Sequence, residues 1–146
     1  QLVLVGKEDY FYKRMKGEIW ETEISKNIVF TEFVSEATLA DLYRNARVYV
    51  FPSLVEGFGL PGLEAMSYGL PVVASNSSCL PEIYGEAAVY FDPKDEKDMI
   101  EKIRFVWADG ATREKLIKLG LEQVKKYSWE SLAEKTLRIY QNAARL

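Results

Sequence analysis

Residues 51–64 read Phe-Pro-Ser-Leu-Val-Glu-Gly-Phe-Gly-Leu-Pro-Gly-Leu-Glu and join a short apolar run to a helical pattern. Gly57 and Gly59 leave the backbone free to turn sharply and to approach a ligand closely. Pro61 suits the first turn of a helix, because its missing N–H would have no partner there in any case. The stretch therefore predicts a strand, a sharp loop and a helix whose free N–H groups form an anion site.

Apolar strand patterns and helical patterns alternate on both sides of this stretch. Five strands are predicted, at Leu2–Val5, Ile28–Phe30, Val48–Phe51, Pro71–Ser75 and Ala87–Phe91. The predicted helices lie at Tyr10–Ile24, 36–46, Leu60–Tyr68, Glu96–Trp107, Thr112–Lys126 and Trp129–Ala143. This alternation predicts an α/β fold, a Rossmann-like doubly wound parallel sheet of about five strands with helices on both faces. Ligands of such sheets bind at the carboxyl ends of the strands, where the quoted loop lies.

Two serines are predicted as helix caps, and the last helix carries an apolar stripe. Ser35 and Ser128 each precede a helical pattern, the position at which a hydroxyl can accept a hydrogen bond from a free N–H. The helix after Ser128 is expected to bury five residues, namely Trp129, Leu132, Ala133, Leu137 and Tyr140.

Two carboxylates flank the backbone of Gly57–Leu60. Glu64 is expected in the first turn of the helix, where the helix dipole favours a negative charge. A carboxylate there can accept two hydrogen bonds from a vicinal diol, such as that of a ribose. Glu56 lies eight positions earlier, and the turn between the two lets both side chains face one pocket. We therefore predict a single site that combines Glu56, Glu64 and a phosphate-binding backbone.

The same loop permits other interpretations. Residues 57–62 match G-x-G-x-x-G, the dinucleotide fingerprint, and Glu82 stands 20 residues beyond Gly62. That fingerprint normally follows its strand directly and lies in the first βαβ unit, whereas here residues 53–56 intervene after the third predicted strand. An NAD-type dinucleotide-binding domain is one alternative function, and a noncatalytic nucleotide-binding or interaction domain is another.

Composition excludes several further classes of function. The 146 residues contain no His, which excludes Ser-His-Asp and Cys-His catalysis within the chain and leaves few ligands for a zinc site. The single cysteine, Cys79, cannot form an internal disulfide and indicates a reducing compartment, the cytoplasm. A net charge of −3 disfavours nucleic acid as a partner. Residues 111–146 are nevertheless basic, which is typical of solvated helix faces and also suits peripheral contact with an anionic membrane.

Residues 56–66, EGFGLPGLEAM, resemble the E-x7-E motif of retaining GT-B glycosyltransferases, the group known as family 4 or glycosyl transferases group 1. The resemblance continues before and after the loop. The further matching segments are residues 30–35, 42–46, 69–75, 80–83, 85–88 and 127–130. It covers nearly the whole chain, and it implies that residues 1–146 are the C-terminal, donor-binding half of a GT-B fold.

The resemblance also implies a role for each site residue. Glu56 is the implied catalytic residue, which contacts hydroxyls of the donor sugar and helps to position its anomeric carbon. Glu64 binds the ribose hydroxyls, and the N–H groups of residues 57–60 hold the sugar and the distal phosphate. The base lies against Phe33 and Val34. The implied substrate-binding residues are Gly57, Phe58, Gly59, Leu60, Glu64, Phe33 and Val34. No metal or cofactor is implied, and the ligand is a nucleoside diphosphate sugar, GDP-mannose or a UDP-sugar.

One part of the family's pattern is missing from this sequence. The family holds the diphosphate with an Arg and a Lys spaced R-x4-K, in the strand–helix unit before the strand equivalent to Leu2–Val5. This sequence opens at Gln1, after that unit and without Met. The resemblance thus implies a donor domain truncated at its N-terminus, separated from its acceptor-binding domain and inactive alone. The whole enzyme is expected to be a hexosyltransferase of polysaccharide biosynthesis, in the cytoplasm or at the inner membrane surface. Residues 71–82 resemble mannosyltransferases of the group, which favours mannose.

Overall fold

The computed structural model describes residues 1–144 of the chain, which forms two compact units, residues 1–42 and the residues from Tyr43 onward. The strands are β1 (Leu2–Val5), β2 (Ile28–Thr31), β3 (Tyr49–Phe51), β4 (Val72–Ser75) and β5 (Ala88–Phe91). The helices are α1 (Tyr10–Trp20), α2 (Glu36–Asn45), α3 (Leu60–Ser67), α4 (Leu80–Tyr84), α5 (Glu96–Ala108), α6 (Gly110–Val124) and α7 (Trp129–Ala143). Short 3-10 turns lie at Ser25–Asn27 and Gly85–Ala87. Strands and helices alternate, as the sequence predicts for an α/β fold.

In the first unit, β1 and β2 pair in parallel, with Leu2 opposite Ile28. Helix α1 connects them, and Tyr12 fixes its position because the phenol O–H donates to the Thr31 carbonyl at 2.8 Å. The helix ends at Trp20, four residues before the predicted Ile24. The hydroxyl of Thr22 donates to the Ile19 carbonyl, a local bond that competes with continuation of the helix.

In the second unit, β3, β4 and β5 form a parallel sheet with β4 in the centre. All four residues of β4 are buried. Because successive side chains of a strand point to opposite faces, both faces of β4 are covered. Among the described residues, the five strands hydrogen-bond as a pair and a triplet, whereas the sequence predicted one sheet of about five. The positions of all five strands match the prediction to within one residue at either end.

The core of the second unit supports α3, the helix that follows the glycine-rich loop. Val73, Phe91, Val106 and Leu116 form a buried cluster that joins the sheet to α5 and α6. Helix α6 in turn packs closely on α3. A Cβ at Gly120 would lie 3.1 Å from the Cγ of Met66, so the Met66 side chain would have to shift slightly to accommodate it.

Helix α7 starts at the predicted cap but does not bury the predicted stripe. Ser128 accepts a hydrogen bond from the Ser131 N–H at 3.1 Å, which confirms the cap. None of the residues of α7 is buried, so the prediction of burial was wrong for every member of the stripe: Trp129, Leu132, Ala133, Leu137 and Tyr140. The stripe has helical spacing, but no segment of residues 1–144 covers it. Ser35 likewise caps α2, where its hydroxyl oxygen accepts from the Thr38 N–H at 3.2 Å.

Candidate functional site

The loop between β3 and α3 turns into the helix at Gly59. This residue is the N-cap of α3 and has φ +88° and ψ 38°, a left-handed conformation that favours glycine. Pro61 lies in the first turn of the helix, as predicted. The sharp turn brings the start of α3 to the carboxyl end of the sheet.

Four successive N–H groups at this turn are unpaired. Within the described residues, the main-chain N–H groups of Gly57, Phe58, Gly59 and Leu60 have no hydrogen-bond acceptor. They lie just before or at the first turn of α3, so the positive end of the helix dipole adds to their field. A group of free donors at a helix N-terminus can bind an anion such as a phosphate. Binding of an anion at this position stays a prediction.

Tyr84 of α4 explains two of the glycines. Its O–H donates to the Gly59 carbonyl at 2.5 Å, and its ring is completely buried. A Cβ at Gly59 would come within 2.6 Å of the Tyr84 hydroxyl, and a Cβ at Gly62 would overlap the Tyr84 ring. Gly57, by contrast, has open space around it. The spacing of Gly59 and Gly62 thus has a packing cause that does not require a dinucleotide.

Glu64 lies on an exposed face of α3 and faces a tyrosine. The Tyr43 O–H donates to Glu64 Oε2 at 3.4 Å, and the Tyr43 ring stacks on Tyr68 with 5.6 Å between centroids. Burial, followed by the charge of Glu64, raises the pKa of Tyr43 to about 12. The phenol is therefore protonated and able to donate at neutral pH. Since α3 begins at Leu60, Glu64 is its fifth residue, and the prediction that it lies in the first turn was wrong.

Glu56 is half-buried and held by side chains from its own loop and from the loop after β4. Ser53 Oγ donates to Glu56 Oε1 at 2.7 Å. Ser78 Oγ donates to the Glu56 carbonyl at 2.8 Å and accepts from the Glu56 N–H at 3.3 Å. The thiol of Cys79 also lies 3.3 Å from that carbonyl oxygen. The sequence analysis singled out Glu56 but missed Ser53 and Ser78.

Phe33 and Val34 follow β2 in the first unit. The Phe33 side chain is 86% exposed, and Val34 is half-buried. An exposed aromatic ring after a strand is suitable for contact with a flat heterocycle. Their assignment to the base stays a prediction.

A cavity of about 500 Å³ adjoins Glu64 on the side of α7. Its walls include Phe58 from the loop, Leu60 at the start of α3, Lys126 from the turn after α6, and Trp129 and Lys135 from α7. Phe58 meets Tyr127 edge to face at 5.4 Å, which connects the loop to this wall. No local sequence pattern indicates the cavity, because its two sets of lining residues are separated by more than fifty positions along the chain.

Residues 1–144 hold no cluster of three or more His, Cys, Asp or Glu side chains placed to bind a metal ion, and a metal-free site stays a prediction. Within the same residues, no helix has both the length and the apolar character needed to cross a membrane.

Comparison with known proteins assigns the family. The sequence model of the family "Glycosyl transferases group 1" matches residues 1–123. The chain is 42% identical over 113 residues to O-antigen chain mannosyltransferase B of Escherichia coli, a match that covers 77% of this chain and 30% of that protein. Other mannosyltransferases are also among its relatives.

Solved structures agree with the sequence match. Sucrose-phosphate synthase of Thermosynechococcus elongatus superposes with a TM-score of 0.88 and 30% identity, over 99% of this chain and 39% of that one. The C-terminal domain of a glycosyl transferase group 1 family protein of Francisella tularensis gives a TM-score of 0.67 and 28% identity, over 80% of this chain and 61% of that one. The α/β fold of GT-B glycosyltransferases is thereby confirmed. The chain spans about a third or less of the first curated relatives that it matches. The chain belongs to the glycosyl transferases group 1 family and is a glycosyltransferase domain.

Proposed function

We propose that the chain is the donor-binding domain of a retaining glycosyltransferase of family 4, whose ligand is a nucleoside diphosphate sugar. The observation that carries this proposal is the run of four unpaired N–H groups at the start of α3, with Glu56 before it and Glu64 after it. Donors suited to a phosphate and carboxylates suited to hydroxyl groups therefore occur in one short segment. A nucleotide sugar has both kinds of group, in the same order.

Each site residue then has a chemical role. The N–H groups of residues 57–60 bind the distal phosphate and stabilise the charge that develops on the leaving diphosphate. Glu64 accepts hydrogen bonds from the ribose diol, and the Tyr43 O–H donates to the same carboxylate. Glu56 is the catalytic residue, which accepts from hydroxyls of the donor sugar and positions its anomeric carbon. Phe33 and Val34 contact the base.

The whole enzyme would transfer a sugar, with mannose as the leading candidate, to an acceptor hydroxyl with retention of configuration. The mannosyltransferases among the relatives support mannose as the sugar. The R-x4-K pair and the acceptor-binding domain are assigned to residues outside this sequence, so the chain alone is expected to bind donor without transferring sugar. We place the enzyme in the cytoplasm, in contact with a membrane surface through its basic C-terminal part, and we assign it no nucleic-acid partner and no cofactor.

Calorimetry of this chain with GDP, UDP, ADP and NADH tests the proposal. We expect weak binding of a nucleoside diphosphate, and weaker binding of the corresponding monophosphate because the distal phosphate contacts residues 57–60. Glu64→Ala is expected to weaken binding about tenfold or more, since it removes a charged acceptor of two hydrogen bonds. Glu114→Ala, an exposed glutamate of α6, is the matched control and is expected to leave the affinity unchanged.

Three outcomes would contradict the proposal in different ways. Equal binding by the wild type and Glu64→Ala would reject the ribose assignment. Binding of NADH with no binding of any nucleoside diphosphate would favour the dinucleotide alternative. Suppose that GDP and GDP-mannose bind with the same affinity and that Glu56→Ala changes neither affinity. That outcome would favour a noncatalytic nucleotide-binding domain.

A further inference from the structure

The carboxylate of Glu56 has a partner that is itself fixed. Ser53 Oγ donates to Glu56 Oε1 at 2.7 Å, a hydrogen bond with a charged acceptor and near-optimal length. Ser53 does not move freely, because its carbonyl accepts from the hydroxyl of Ser75. Ser75 is the last residue of β4 and is completely buried. The orientation of the Glu56 carboxylate is thus connected to the central strand through two serines.

The main chain of Glu56 is held by two side chains of the loop after β4, those of Ser78 and Cys79. Ser78 Oγ donates to the Glu56 carbonyl and accepts from the Glu56 N–H, so one hydroxyl satisfies both polar groups of that residue. Ser78 adopts φ +57°, the one left-handed residue other than glycine among those the structure describes. A side chain in that conformation is unfavourable and persists only where surrounding contacts fix it. Such strain is often found next to functional groups.

We propose that Ser53 and Ser78 are positioning residues that hold Glu56 in a single orientation before a donor sugar binds. This inference rests on the proposed function, in which Glu56 contacts the sugar. A free glutamate side chain loses considerable rotamer entropy when it is ordered by a ligand. Glu56 has lost that freedom already, through one serine on its carboxylate and another on its main chain, so less affinity is lost on binding.

The first test separates the sugar from the nucleotide. We measure binding of GDP-mannose and of GDP by calorimetry, and the ratio of the two affinities reports the contribution of the sugar. Ser53→Ala and Ser78→Ala are each expected to lower this ratio about threefold to tenfold while leaving the affinity for GDP unchanged. Ser53→Thr retains the hydroxyl and is expected to retain the ratio. Ser77→Ala is the matched control, because in the described chain Ser77 makes hydrogen bonds only through its main chain.

A double-variant cycle distinguishes failure of this inference from failure of the proposed function. If Glu56→Ala leaves the ratio unchanged, Glu56 does not contact the sugar and the proposed role of Glu56 is rejected. If Glu56→Ala lowers the ratio but neither serine variant does, the positioning role is rejected. If Ser53→Ala lowers the ratio equally in the Glu56→Ala background, Ser53 acts through the general structure and the positioning role is again rejected. Loss of the Ser53 effect in that background supports it.

The second test needs no ligand. Hydrogen exchange of the Glu56 amide proton measures how often its bond to Ser78 opens. Ser78→Ala is expected to speed this exchange severalfold without changing exchange in β4, whereas Ser77→Ala leaves both unchanged. Equal exchange of the Glu56 amide in the wild type and Ser78→Ala would overturn the role of Ser78. A rise throughout β4 would show general destabilisation and would also overturn it.

Discussion

A single buried ring, that of Tyr84, limits which residues can stand at the start of α3. Its hydroxyl satisfies the Gly59 carbonyl, and its ring occupies the space into which side chains at positions 59 and 62 would point. Burial raises the pKa of Tyr84 far above its usual value, so the phenol is a permanent donor. Tyr84 thus fixes the carbonyl of Gly59, while the N–H groups of residues 57–60 have no acceptor among the described residues.

Gly62→Ala is expected to reduce the free energy of unfolding by about 1–3 kcal/mol, because the new methyl group must displace the Tyr84 ring in a packed core. Urea denaturation followed by circular dichroism measures the change. Gly57→Ala is the matched control. It adds the same group in the loop before α3, in open space, and it should stay within about 0.5 kcal/mol of the wild type. Equal midpoints for the two variants would contradict the packing role of Tyr84.

The sequence predicted the residues of the candidate site better than it predicted their supports. Glu56 and Glu64 could be identified because they lie in one local motif, eight positions apart. Their partners could not. The Tyr43–Glu64 bond spans 21 positions, the Glu56–Ser78 bond 22 and the Tyr84–Gly59 bond 25. Serine and tyrosine are common residues, and only the folded chain shows which of them reach a given carboxylate or carbonyl.

At the scale of elements, the end of α3 is as strongly determined as its beginning. Gly69 has φ +71°, and its N–H donates to the Met66 carbonyl at 3.0 Å. The Leu70 N–H donates to the Ala65 carbonyl at 3.1 Å, so two free carbonyls of the last turn are satisfied. The chain can then enter β4 within three residues. Gly69 therefore closes α3.

Gly69→Ala is expected to reduce the free energy of unfolding by about 1–2 kcal/mol, the cost of a left-handed conformation for a residue with a Cβ. Crowding adds nothing, because the nearest atom to the new Cβ would be Ile117 Cγ2 at an ordinary 3.6 Å. Gly69→Asn tests the cause. Asparagine adopts this conformation more readily, so thermal unfolding should show a smaller loss than for alanine. A larger loss for asparagine would indicate a steric cause instead.

The elements whose prediction failed did so for identifiable reasons. Helix α1 ends at Trp20 because a threonine hydroxyl takes up a carbonyl of its last turn, a contact that hydrophobic spacing does not encode. The stripe of α7 has the spacing of a buried face, but spacing indicates only that residues share a face. Whether that face is covered depends on another segment, and residues 1–144 do not supply one.

At the scale of the whole molecule, the sequence predicted the fold class, the five strands and the family. It did not predict that the strands pair as two and three. An apolar run does not indicate which other strand it will pair with, since buried parallel strands are rich in the same apolar residues.

Buried tyrosines are a second property of the whole molecule. The pKa values of Tyr43 and Tyr90 are raised by burial to about 12, and that of Tyr49 is raised further.

These tyrosines predict the response of the chain to alkali. In the unfolded chain a tyrosine loses its proton near pH 10, whereas folded Tyr43 and Tyr90 keep theirs to about pH 12. Between pH 10 and pH 12 the folded state therefore binds more protons than the unfolded state. The contribution of these tyrosines to the free energy of unfolding should be fully present below pH 10 and decline from pH 10 towards pH 12. Urea midpoints at a series of pH values measure the decline. Tyr43→Phe should make it less steep, and an unchanged slope in that variant would contradict the role of Tyr43.

The exposure of the tryptophan side chains also determines what a fluorescence experiment on this chain can detect. The three tryptophans, Trp20, Trp107 and Trp129, are 72%, 49% and 78% exposed, while the core consists of aliphatic, phenylalanine and tyrosine side chains. Native indole emission will thus resemble that of indole in water, and loss of the fold will hardly shift its wavelength. Trp129, on the wall of the cavity beside Glu64, is placed to report an arriving ligand instead. Intrinsic fluorescence in this molecule is consequently a probe of its surface rather than of its folding.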